Sequence, residues 1–235
     1  MVKYVCAIFL FFQSMSFSFG QKFECFVNFN SGLFKYKNVN PGFQNQINIG
    51  LGNAYTNDPY SDKSGFPIGL SVTVHKVNRQ NMLFGIDLGI ESLESKQEIT
   101  KVYGPVYSNL RQAKGETYYR TPFVNLFSFL GYQLKQKNFN LNLKLGTDIA
   151  VSVWNSTDKG SVTIIPNDSL VSINYKSHEG VDFRMRCQAD IAFKKVGGYI
   201  GYSYGLWNGH TSSGGSSSRE IYTRYFRVGL FYKIK

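Results

Sequence analysis

The stretch Phe139–Val153, FNLNLKLGTDIAVSV, decides how this chain is read. Phe139, Leu141, Leu143, Leu145, Thr147, Ile149, Val151 and Val153 fall on one side of an extended strand. Asn140, Asn142, Lys144, Gly146, Asp148, Ala150 and Ser152 fall on the other. Strand side chains alternate between faces, so one face is nearly all apolar and the other polar, small or charged. The pattern recurs along most of the chain. Long alternating segments, joined by short basic turns at one end and long connections at the other, are the signature of a membrane β-barrel.

Read for turns, the chain divides into eight strands, over 23–36, 66–76, 82–95, 117–134, 139–154, 180–193, 197–207 and 219–234. The connections 78–80, 136–138 and 194–196 are tight, whereas 37–65, 96–116, 155–179 and 208–218 are long. The expected fold is therefore all-β, an eight-stranded antiparallel up-and-down transmembrane β-barrel, acting as a monomer. An even strand count puts both chain ends on the short-turn side. The segment Gln44–Thr56 (QNQINIGLGNAYT) also alternates. It reads either as an extension within the first long connection, which is favoured, or as the first barrel strand with 23–36 as an extra element. A soluble β-sandwich would require the apolar faces to pair with each other instead of with lipid.

The chain has 235 residues. Residues 1–20 carry the features of a signal peptide: Lys3, a short apolar run from Val5 to Phe12, and small residues before Gln21. This leaves 21–235 as one outer-membrane barrel domain. No later segment approaches the roughly 18 apolar residues of a transmembrane helix. The 16 Tyr, 20 Phe and 2 Trp suit aromatic girdles, and the 23 Gly suit a crowded lumen. The formal charge is +11. The basic residues gather at the short turns (Lys76, Arg79, Lys135, Lys137, Lys194, Lys195, Lys233 and Lys235) and not on one helix or patch, so nucleic acid is not an expected partner. Outer-membrane lipid is, because a cationic rim suits anionic headgroups. Cys25 and Cys187 face outward on strands that are not neighbours, and two free thiols are expected.

The inward face holds six acids, Glu24, Asp87, Glu91, Asp148, Asp182 and Asp190, and five bases, Lys144, Arg184, Arg186, Arg227 and Lys233. Eight strands enclose a space that side chains just fill. Buried charges of both signs should pair there, because unpaired buried charge is costly. The expected result is a salt-bridged plug, and the competing reading is a polar conduit for a small solute.

Little points to chemistry. His75 faces inward as a hydrogen-bonding group. His178, Glu179 and His210 with a loop serine could form a rim site, but loops rich in Ser and Asp always offer such sets. Two scattered histidines make a poor metal site, so neither metal nor cofactor is expected. Tyr103, Tyr107, Tyr118, Tyr119 and Trp154 are candidates for loop contacts or for membrane-interface anchors. Function is then expected to be structural, or by binding of an extracellular ligand or secretion-machinery protein through the long connections.

Three stretches carry a family resemblance: Lys63-Ser64-Gly65-Phe66, Tyr119-Arg120-Thr121-Pro122, and the closing Arg227-Val228-Gly229-Leu230-Phe231-Tyr232-Lys233. With these the chain resembles the PorT-like outer-membrane β-barrel proteins of Bacteroidetes. The resemblance implies a barrel in the outer membrane and, for some members, a link to protein secretion or gliding machinery. Family members typically end in an aromatic residue, whereas this chain ends Tyr232-Lys233-Ile234-Lys235.

Overall fold

The computed structural model describes residues 23–38, 45–50, 54–104, 107–166, 168–177, 179–206 and 221–234. The expected signal peptide and the 208–218 connection lie outside them. Thirteen strands follow in chain order: β1 Phe23–Asn38, β2 Gln46–Ile49, β3 Ala54–Thr56, β4 Lys63–Ser64, β5 Ile68–Val77, β6 Met82–Gly104, β7 Tyr107–Lys135, β8 Asn140–Ser152, β9 Ser156–Ile164, β10 Ser169–Ser177, β11 Val181–Phe193, β12 Val196–Gly205 and β13 Ile221–Lys233.

Eight of these close a ring. The order β1-β5-β6-β7-β8-β11-β12-β13 is antiparallel at every step, and β13 returns to β1 with Phe26 opposite Lys233 and Asn38 opposite Ile221. A closed ladder leaves no unpaired edge, which is what lets a sheet stand in lipid. The chain is thus an eight-stranded up-and-down transmembrane barrel, with its first and last strands side by side.

The outer wall shows why. Phe29 and Leu33 on β1, Leu70 and Val72 on β5, Leu88 and Ile90 on β6, Leu143 and Leu145 on β8, and Val228 and Leu230 on β13 all stand exposed on the outside. So large an apolar belt belongs in hydrocarbon. The belt ends at one level. Above Leu33 comes Lys35, above Phe226 comes Arg224, above Ile90 come Ser92 and Glu94, and below Arg120 lies Pro122. Cys25 and Cys187 are both free, on β1 and β11.

Beyond that level the structure departs from the sequence reading. The connections 96–116 and 155–179 are not loops. β6 and β7 continue as one long hairpin, with Lys96 opposite Tyr118 and Gly104 opposite Tyr107. Residues 156–177 form a second hairpin, β9–β10, laid along β7 from Ala113 to Arg120. Segment 46–56 supplies β2, parallel to β6, and β3 beside it. It is therefore part of this extension, and 23–38 is the barrel strand. The extension runs β10-β9-β7-β6-β2-β3 and curls until the Tyr55 ring on β3 lies 5.4 Å from the Tyr175 ring on β10. Inside this cup Ile47, Ile99, Val102, Val162, Ile164 and Ile173 form a second apolar core.

The ladder tolerates no added bulk at some glycines. A Cβ at Gly146 would stand 1.9 Å from the Ser128 carbonyl oxygen, whereas one at Gly180 would meet nothing within 4 Å. Gly146→Ala should therefore cost about 1–3 kcal/mol, and Gly180→Ala should stay within roughly 0.5 kcal/mol of the parent. Urea unfolding in detergent micelles, followed by the mobility difference between folded and boiled protein, measures both.

Candidate functional site

The lumen is built in layers along the barrel axis. At its centre two arginines and two acids from four different strands meet. Arg227 on β13 lies 2.9 Å from Glu91 on β6 and 3.0 Å from Asp148 on β8. Arg184 on β11 lies 2.5 Å from Glu91 and 3.4 Å from Asp148, with Asp182 3.7 Å away. Both arginines are 0% exposed. None of the Glu91 contacts is between neighbouring strands, so the cluster spans the lumen. Buried carboxylates and guanidiniums must be paired in this way to be tolerated at all.

Nearer the short-turn end, Arg186 stacks 4.3 Å from the Phe127 ring centre and donates to Gln188. Gln188 donates to Asp190 at 2.6 Å, and Lys144 pairs with Asp190 at 2.5 Å while sitting over Phe129. Asp87 accepts from Thr73 at 2.8 Å. At the end of the lumen Phe26, Tyr199 and Phe231 form an aromatic layer. There Glu24 accepts from Lys233 and lies 3.1 Å from His75 Nε2. Above the central cluster a second aromatic layer, with Phe34, Tyr36, Tyr119, Phe123 and Tyr225, crosses the barrel mouth.

Room for these side chains comes from their cross-strand neighbours. Arg227 is flanked by Gly32 and Gly201, Arg186 faces Gly146, Arg184 faces Gly205, Glu91 faces Gly69, and Lys144 faces Gly131. A sequence reading gives the inward set but not this pairing of each long charge with a glycine. Pairing needs the register, and the register follows from connections whose lengths the sequence leaves open.

The aromatic candidates separate. Tyr103 is 50% exposed near the tip of β6. Tyr118 faces outward on β7, with Lys96 over its ring and its hydroxyl donating to Glu116 at 3.0 Å. Trp154 is 56% exposed at the edge of the apolar belt. It lines a groove of about 380 Å³ with Phe29, Phe66 and Pro122. Tyr119 is not an outward contact: it is 3% exposed and points inward, because Tyr118 and Tyr119 are neighbours on one strand and parity puts them on opposite faces. Tyr107 lies in β7, but its side chain lies outside the described residues.

Glu179 is also not an open rim group. It is buried and accepts hydrogen bonds from Tyr60 at 3.0 Å and from Tyr119. His178 and His210 lie outside the described residues. Among the described residues no cluster of three His, Cys, Asp or Glu side chains could hold a metal.

In the cup, Asp158 is buried and accepts from the Thr56 backbone N–H at 2.8 Å, tying β3 to β9. Burial pushes its carboxyl above the ordinary carboxylate range, against that hydrogen bond.

No family model and no curated protein matches the chain. Among solved structures the chain is similar to Ail, the attachment invasion locus protein of Yersinia pestis, in complex with the heparin analogue sucrose octasulfate. The identity is 11% and the TM-score 0.33, over 91% of this chain and 99% of that one. It is similar also to Neisserial surface protein A, at 11% identity and TM-score 0.36, over 89% of this chain and 97% of that one. The architecture stated above rests on the closed strand ring.

Two outcomes follow. Glu91→Ala leaves Arg184 and Arg227 short of an acid and should cost about 3–5 kcal/mol. Adding Arg184→Leu to it should recover part of that loss, which a double-mutant cycle in urea would measure. Asp158 binds its proton more readily folded than unfolded, so its contribution weakens as pH rises through the raised value. The extension should resist protease better in buffer near the ordinary carboxylate range than at neutral pH, and Asp158→Asn should flatten that difference.

Proposed function

We propose that the chain is a non-enzymatic outer-membrane protein, in which a sealed barrel anchors a rigid β cup that binds partners outside the cell. The observation that carries this reading is the lumen. The four-charge cluster of Glu91, Asp148, Arg184 and Arg227 fills the barrel section, and aromatic layers lie above and below it. Within the charged part of the lumen, the space beside His75 and Lys144 is about 10 Å³, room for a single water. That supports an anchor over a conduit. The long-connection end supports display: its strands rise past the apolar belt and turn charged side chains outward, with Lys63 paired to Glu98, Lys96 to Glu116 and Arg120 to Glu94.

The short basic turns would face the periplasm and the cup the exterior, the usual arrangement of outer-membrane barrels. The resemblance to PorT-like proteins supports the same membrane. A cysteine at Lys159 should then react with a membrane-impermeant maleimide on intact cells, and a cysteine at Lys137 only after lysis. In planar bilayers the purified protein should pass no steady current. Steady conductance would overturn the anchor reading, and labelling of Lys137→Cys on intact cells would overturn the orientation.

A further inference from the structure

The upper edge of the apolar belt carries one arrangement that the ladder itself disfavours. Lys35 on β1 and Arg224 on β13 are directly opposite each other and both face outward. Lys37 follows at the next outward position of β1. Like charges placed opposite on neighbouring strands repel and destabilise the pair. Elsewhere the chain answers such a juxtaposition. Lys63 stands opposite Lys96 in the same way, and each is matched by an acid, Glu98 and Glu116. Among the described residues no acid pairs with Lys35, Lys37 or Arg224. Asp62 sits on the segment bonded to β1 through Tyr36 and Ser61, and it makes no ion pair with them. Glu94 is committed to Arg120.

The site is also oriented. The Arg224 guanidinium lies 3.3 Å from the centre of the Tyr204 ring on β12 and donates to the Thr223 carbonyl oxygen at 3.3 Å. A guanidinium held flat on an aromatic face loses less freedom when its remaining N–H groups take a phosphate. Directly below stand Leu33, Phe226 and Tyr202, exposed and within the belt. A charge cluster at the belt edge, over an apolar wall, fits one kind of occupant: a lipid with acyl chains along the wall and a phosphate at the cluster.

We infer that Lys35, Arg224 and Lys37 form a headgroup site for a phosphorylated lipid of the surrounding leaflet. The inference rests on the membrane reading above. A lipid phosphate supplies the counter-charge that no acid among the described residues gives, so the site binds an annular lipid in place.

The test is native mass spectrometry of the full chain in a neutral detergent, titrated with phosphatidic acid or with diacylglycerol of the same chains. The parent protein should retain phosphatidic acid at least tenfold better than diacylglycerol. Lys35→Gln with Arg224→Gln should remove that preference, and Lys114→Gln with Lys159→Gln should keep it. Lys35→Glu should raise the unfolding temperature in neutral detergent, because it turns a repelling pair into an attracting one, and should also lower the lipid preference. An unchanged preference in the double glutamine variant would overturn the site. Displacement of the lipid by equimolar inorganic phosphate would overturn it as a lipid site. Boiled and unboiled samples run on a denaturing gel keep the two readings apart. A variant that retains the mobility shift but loses the preference supports the site, and a parent protein that shows no shift overturns the membrane reading itself.

Discussion

Eight strands enclose a space that side chains all but fill, and that limit governs the rest of the molecule. Whatever points inward must be packed, and whatever is charged must be neutralised by another inward side chain. The central arginines meet the limit by reaching across the lumen to Glu91 and Asp148, and they can do so because glycines stand beside them on the ladder. Gly32 on β1 shows how close the fit is. Its φ is 152°, and a Cβ there would lie 1.9 Å from the Phe226 carbonyl oxygen, next to the backbone of Arg227. Charge and glycine are two parts of one packing solution.

The outer wall obeys a different rule. Within the belt, outward positions are apolar because hydrocarbon solvates them. Above it the same strands carry Glu94, Lys96, Glu98 and Glu116. β6 and β7 do not end at this boundary. They pass through it, and the ladder runs in one register from Met82 opposite Tyr132 to Ile99 opposite Gly115, where the cup core begins. The cup is thereby held at a fixed angle to the barrel by two continuous strands, where a loop would leave it free to move.

The barrel strands are legible because they obey period 2 over ten or more residues, with one face nearly all apolar. The strands over 23–36, 82–95, 139–154 and 180–193 lie close to β1, the membrane part of β6, β8 and β11. The extension was not legible, for a physical reason. Its inward face mixes Leu93 and Ile99 with Ser95 and Gln97, and its outward face is charged, so the contrast between faces that marks a strand in lipid disappears. Tyr119 shows how parity decides: it lies within the strand read over 117–134, and parity carried back from Phe123 through Thr121 turns it inward, as the structure has it. The inward charges could be named from alternation alone. Their partners could not, because Glu91 meets side chains from strands far away in sequence, and that depends on ring closure and shear.

The distribution of the central cluster bears on how the barrel forms. Arg184 and Asp148 stand opposite each other on the adjacent strands β11 and β8, whereas Glu91 on β6 and Arg227 on β13 meet only across the lumen, so no two neighbouring strands complete the cluster. A partly assembled sheet would present bare arginines and carboxylates to the acyl chains, and each such exposure is strongly opposed. Only when β13 reaches β1 does Arg227 meet Glu91 and Asp148 and complete the cluster. Insertion of this chain should therefore be close to all-or-none, with the incomplete sheet confined to water or to the assembly machinery until the last strand docks.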